Sequence, residues 1–250
     1  MPALEKLDAD RILATSQRLE RRIAERFPQA GLGRVCGQLV ELAGRAKQTT
    51  LWIRKPNAKL RALSVGVIGT ILVVSLIIVV ASVGSNSGPH DLGDVVQSLE
   101  AAMNGLVLLG AAIWFFVSIE TRFKRARVLK ALHELRTLAH LIDVHQLTKD
   151  PDVIGGPDAH PTASSPERTL TPWQVGRYLD YCTEMLSLTG KIAALYSDGF
   201  GDPEAVDAVT DLEALTNALQ HKLWQKIVLL ESRSGVARPT VVAPSAGSNA

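Results

Sequence analysis

The chain has little with which to build a disulfide framework, a secretory leader or a metal cage. Two cysteines occur in 250 residues, Cys36 and Cys182, both in stretches expected to be cytoplasmic, so a disulfide-stapled fold is not indicated. No long apolar run occurs in the first sixty residues, where a charged amphipathic segment stands instead, and no signal peptide is expected. No zinc spacing, nucleotide-binding loop or nucleophile motif is present, so no cofactor and no metal are expected. Aromatic residues make up 5% of the chain. About sixty residues precede the apolar middle and about 130 follow it, enough for small helical modules but thin for a large catalytic core.

Two uncharged apolar stretches are what the chain does have: Ala62 to Val83, of 22 residues, and Ala101 to Ile119, of 19. A helix needs about 20 residues to cross about 30 Å of hydrocarbon, so each is read as a membrane span. Arg45, Lys47, Arg54, Lys55, Lys59 and Arg61 precede the first, and Arg122, Lys124, Arg125, Arg127 and Lys130 follow the second. The loop between them, 84–100, has no Lys or Arg and carries Asp91, Asp94 and Glu100. Basic flanks resist translocation, so a hairpin with both termini in the cytoplasm and the Ser85 to Pro89 turn outside is expected. Within the spans, Ala62, Gly66 and Thr70 form a small-residue ridge suited to close helix packing, as do Ala101 and Gly105. Asn104 is the strongly polar side chain among them, and an interhelical hydrogen bond is its ordinary use.

Charge is divided along the chain. Residues 1–61 hold 13 Lys and Arg against 6 Asp and Glu, whereas 131–250 hold 9 against 15. Basic residues therefore gather beside the expected bilayer and acidic ones away from it, as an anionic cytoplasmic leaflet favours, and a nucleic-acid role is disfavoured.

Residues 1–61 read as an amphipathic helical arm, with helices from Leu4 to Arg26 and from about Val35 to Trp52 separated by Pro28, Gly31 and Gly33. Packing on the C-terminal module is favoured over lying on lipid, because the polar face mixes Glu with Arg. Residues 62–119 are the hairpin. The second span is expected to continue as a helix of some 45 residues to about Gln146, because no Pro or Gly occurs from Ile119 to Gln146 and Val128, Leu132, Leu135, Leu138 and Ile142 form a heptad-like stripe. Helices at Pro172 to Ser197, capped by Thr171, and Pro203 to Glu231, capped by Asp202, can pack on that stripe. Residues 120–231 thus read as a cytoplasmic three-helix module, interrupted by a flexible linker at 150–170 and followed by a disordered tail at 232–250. The fold class expected is an all-α membrane protein, a two-helix transmembrane hairpin with a cytoplasmic helical bundle.

The best candidate for chemistry is the end of the long helix. His140 and Asp143 are three residues apart and share a face, and His145 joins them if the helix ends there. Such a group suits a divalent metal or an Asp-oriented base, or else hydrogen bonds tying the helix end to its neighbours. A second polar cluster, Arg177, Asp180, Tyr181, Glu184, Ser187 and Lys191, is a solvated helix face unless it turns toward His140 and Asp143. Cys182, set among Val175, Leu179, Leu186 and Ile192, reads as a buried small hydrophobe.

The run His140 to Pro151, the Thr171-Pro172 helix start, and the strings Arg177 to Cys182 and Glu184 to Lys191 resemble a family of uncharacterised bacterial inner-membrane proteins with two spans and a helical C-terminal module. The resemblance covers roughly half of the chain. It implies a bacterial inner membrane and brings no activity. Two functions follow as expectations. One is a non-enzymatic membrane anchor or scaffold that binds a cytoplasmic protein or assembles as a homo-oligomer. The other is a membrane-tethered enzyme or ligand sensor using His140, Asp143 and His145 with Arg177 or Glu184.

Overall fold

A computed structural model describes residues 7–55, 58–85, 92–149 and 170–234, and their regular structure is helical throughout. Six helices follow in order: α1 (Ala9–Arg26), α2 (Gly31–Arg54), α3 (Ala58–Ser85), α4 (Leu92–Leu147), α5 (Pro172–Gly199) and α6 (Pro203–Ser234). Most of the expected linker, tail and outer turn lie outside the described residues. The chain divides into two compact units, one of Met1–Leu51 with Leu129–Ala250 and one of Trp52–Val128.

The first unit is a bundle whose register can be read from its cross-helix pairs. Helices α1 and α2 run in opposite directions, since Asp10 pairs with Lys47 while an added Cβ at Gly37 would meet Glu20, and one at Gly33 would meet Ile23. Helices α2 and α4 also oppose: Arg45 pairs with Glu134 at 2.8 Å and Gly31 lies against His145. Helix α5 opposes α1, through Arg22 on Glu184 at 2.7 Å and Phe27 edge-on to Tyr178 at 5.5 Å. It opposes α6 as well. A Cβ at Gly190 would stand 3.1 Å from Thr216 Oγ1 and one at Gly176 would stand 3.5 Å from Leu230 Cδ2. Helices α4 and α6 run the same way, with Arg136 near Asp211 and Asp143 bonded to Lys222. One pole of this unit therefore collects the C-terminal ends of α1, α4 and α6 with the N-terminal starts of α2 and α5.

Helix α1 and the first part of α2 belong to the same compact unit as the C-terminal helices. The reason lies in α5, which buries thirteen of its 28 residues, from Val175 to Tyr196. A helix buried on several sides needs more neighbours than α4 and α6 supply. Helix α1 packs on another side of it, with Phe27 just past its end edge-on to Tyr178 and Tyr181. The α4 stripe is buried as its spacing predicts, Leu132, Leu135, Leu138 and Ile142 each being at most 4% exposed. Burial of each such side chain contributes about 1.5–3 kcal/mol.

Local signals set the helix ends. Asp8 caps α1, its Oδ1 accepting from Asp10 N at 2.8 Å, so that helix starts later than the periodicity suggests and Leu7 stays outside it. Thr171 and Gln174 form a reciprocal capping box on α5, and Asp202 Oδ1 accepts from Ala205 N at the start of α6. Gly31 and Gly33, expected as breakers, lie inside α2, and the break is the four-residue connection ending at Ala30, whose N–H donates to Phe27 O at 3.0 Å.

In the unit Trp52–Val128, α4 begins at Leu92, inside the stretch expected as loop. Leu92, Val95, Val96 and Leu99 keep helical spacing there, a pattern masked by Asp94 and Glu100. Among the described residues, the helical stretch Met103–Leu147 is the one long and apolar enough to cross a membrane. Its Leu106, Val107, Leu108, Trp114 and Val117 are exposed, and so are Val65, Leu72, Leu76, Ile77 and Val80 of α3. Among the described residues nothing lies within 4 Å of a Cβ added at Gly66 or Gly105, and Asn104 is exposed. Thr70 turns its hydroxyl to Gly66 O in its own helix. Lys124 is almost wholly buried, its Nζ donating to Ile53 O at 2.9 Å and Lys55 O at 3.1 Å and pairing with Glu120 at 2.9 Å. It satisfies carbonyls left open at the C-terminal end of α2. Arg127 lies over the Trp52 ring at 4.9 Å.

Candidate functional site

The five side chains singled out by sequence are turned to different neighbours. His140 is exposed on α4. Asp143, one turn on, is half-buried and accepts from Gln146 Nε2 at 2.6 Å and from Lys222 Nζ of α6 at 3.1 Å. Gln146 is fully buried, and its Oε1 meets no hydrogen-bond donor among the described residues. Its amide is fixed by Asp143, because a flipped amide would set oxygen against carboxylate. Asp143 is thus a tie between α4 and α6.

Arg177 and Glu184 lie on another side. Arg177 pairs with Asp180 of its own helix at 3.0 Å and lies 5.3 Å over the Tyr181 ring. Glu184 takes both arms of Arg22, at 2.7 and 3.3 Å, and Arg22 in turn lies 5.1 Å from the same ring. The hydrogen bond to Glu184 holds the Arg22 guanidinium protonated above its ordinary value. These groups join α1 to α5 and do not meet His140 or Asp143. Among the described residues no three His, Cys, Asp or Glu side chains gather as metal ligands. Both cysteines are buried: desolvation pushes the Cys36 thiol up to about 12, and does the same to Cys182, with the Asp143 charge adding to it.

His145 has a different setting. Its ring lies so close to α2 that a Cβ at Gly31 would fall 2.6 Å from Cε1, and its carbonyl accepts from Tyr178 OH at 3.5 Å. Burial pushes the Tyr178 phenol well above its usual range, so it remains a donor. Here, at the pole where α1 and α4 end and α2 and α5 begin, a cavity of about 500 Å³ opens. Arg26, His145 and Lys149 line it together with Gly31, Thr148 and Tyr178, and among the described residues no Asp or Glu lines it. Arg26 lies 4.9 Å over the Trp173 ring and Lys149 lies 5.5 Å over Tyr178. Of the sequence candidates the cavity takes in His145 alone. Arg26 and Lys149 were passed over because they are 123 positions apart in the sequence. The one hint is that each stands at the last turn, or just past it, of a helix closed by a turn.

Comparisons with known proteins leave the geometry to stand by itself: no family model, no curated protein and no solved structure matches this chain.

Proposed function

We propose that this chain is a non-enzymatic anchor or scaffold of a bacterial inner membrane, holding a helical bundle on the cytoplasmic side that binds a protein partner or a second copy of itself. The observation that carries the reading is helix α4, a single 56-residue helix that is apolar and exposed over its Met103 to Val117 part and buried in a bundle through Leu132, Leu135 and Ile142. An apolar surface of that length is favourable in lipid and costly in water. The second crossing, by α3, belongs to this proposal and rests on the uncharged run 62–83 and its exposed side chains. Orientation rests on eleven basic residues flanking the two runs and none between them. The bacterial setting rests on the resemblance of the α4 end and α5 strings.

Support for a scaffold over an enzyme comes from how the polar candidates are used. Asp143 is tied to Lys222 and Glu184 to Arg22, while His140 is exposed. Membrane-impermeant thiol labelling of single cysteines introduced at Ser87 and near each terminus, in a background lacking Cys36 and Cys182, tests the topology. Ser87 should label from outside and the termini only after lysis. Labelling of either terminus in intact cells would overturn the orientation, and release of the chain by carbonate washing would overturn the anchor.

A further inference from the structure

We propose that the cavity at the pole of the bundle binds a phosphate group, and that Arg26, His145 and Lys149 are its ligands. Three observations converge. The cavity is large enough for a small ligand, at about 500 Å³. Its lining brings together three side chains that can carry positive charge, from α1, the end of α4 and the short segment after it, and includes no carboxylate among the described residues. Helix α2 also begins there: Ala30 and Gly31 line the cavity, and α2 has no acidic residue in its first turn.

The arrangement suits phosphate in particular. A guanidinium offers a planar fork of donors, an ammonium a point charge, and a helix start its open N–H groups, and all three favour a compact oxyanion. Arg26 and Lys149 are held over aromatic rings, which limits the conformations either must give up on binding. His145 presents its Cε1 edge to Gly31, where any larger residue would push the ring away. Thr148 and Tyr178 add hydroxyl groups at the rim. A phosphate group could be presented by a soluble molecule or by a lipid headgroup, and the two sources are separable by experiment. The inference does not depend on the anchor reading, because the cavity lies wholly within the unit Met1–Leu51 with Leu129–Ala250.

The test uses the full chain in neutral detergent, titrated with inorganic pyrophosphate at constant ionic strength, and the full chain in nanodiscs with and without phosphatidic acid. Thermal unfolding and tryptophan fluorescence are followed, since Trp173 lies beneath Arg26. Saturable stabilisation is expected from one of the two phosphate sources, and the double variant Arg26→Gln/Lys149→Gln should weaken it roughly tenfold or more, as loss of two charge-assisted contacts implies. Arg18→Gln, an exposed α1 substitution outside the cavity, should leave it unchanged. A pyrophosphate effect lost in the double variant supports a soluble ligand, and an effect of phosphatidic acid alone, lost in the same variant, supports a headgroup. Absence of a saturable effect from both sources, or one of equal strength in the double variant, would overturn the proposal.

Discussion

Gly190 and Gly44 are both glycines inside helices, and the structure gives them opposite fates. An alanine at either removes backbone freedom from the unfolded chain and adds about 0.5–1 kcal/mol of helix preference. At Gly44 nothing lies within 4 Å of the added Cβ, so the full gain should appear. At Gly190 the Cβ would stand 3.1 Å from Thr216 Oγ1 across the α5–α6 contact. Thr216 is β-branched, nearly inaccessible, and its hydroxyl donates to Glu213 O at 3.0 Å, so it has little room to retreat. Gly190→Val places two further carbons in that contact, and overpacking of this kind costs about 1–3 kcal/mol against a preference gain of about 0.4 kcal/mol. A chain of this size shifts its melting point by roughly 2–4 °C per kcal/mol. Thermal unfolding followed by circular dichroism should therefore show Gly44→Ala about 2 °C above wild type and Gly190→Val roughly 5 °C below it. Thr216→Ala should recover part of the loss when combined with Gly190→Val, giving a coupling of about 1 kcal/mol in a double-mutant cycle. If Gly190→Val melts with or above Gly44→Ala, the α5–α6 register described here is wrong, and with it the pole that carries the cavity.

Two other outcomes are expected. Glu184→Gln breaks a two-armed bond to Arg22 whose side chains are 41% and 39% exposed, so the cost should be about 0.5–1 kcal/mol and should shrink in 1 M salt; a large, salt-independent loss would mean that the pair is a buried network. The Cys36 and Cys182 thiols, pushed from 9.0 to about 12, stay protonated in the folded state while the unfolded chain ionises. Their contribution is therefore intact below pH 9 and falls away between pH 9 and 12. Unfolding measured across that window should lose less stability in Cys182→Ala than in wild type, and fast thiol labelling of the folded protein at pH 8 would contradict the burial.

What the sequence made legible was periodicity and punctuation. The stripe from Val128 to Ile142, the Thr171 cap before Pro172 and the Asp202 start of α6 are local patterns, and each was readable because its physics is local. The start of α4 was misplaced because Asp94 and Glu100 interrupt an apolar pattern that is nevertheless helical. Partnership was harder. That α5 needs α1 follows only when Tyr178, Tyr181 and Cys182 are seen to be buried alongside Leu179 and Met185, which depends on knowing how many sides of the helix are covered. The polar cluster was legible as a set of i,i+3 and i,i+4 pairs, and Arg177 does reach Asp180 and Tyr181. Its target was not, because Glu184 meets Arg22 across 162 positions. The cavity was invisible for the same reason.

Basic side chains at the ends of α1 and α4 have an ordinary use: a cation such as Arg26 in a last turn is favourable beside open carbonyls by about 0.3–1 kcal/mol, and His145 stands in the last turn of α4. That use alone would favour an acidic residue at the neighbouring start of α2, where the helix field is positive, yet Ala30 stands there and the first turn has no acid. Ala30→Asp separates the two roles. Its carboxylate would accept from the first-turn N–H groups of α2 and face the cations of the cavity, raising stability by about 1 kcal/mol. The same charge would occupy the space and field that a phosphate needs. The expected result is a higher melting temperature together with loss of the stabilisation by whichever phosphate source acts on the wild type. A stabilised variant that keeps that response would show that Arg26, His145 and Lys149 are helix caps and nothing more.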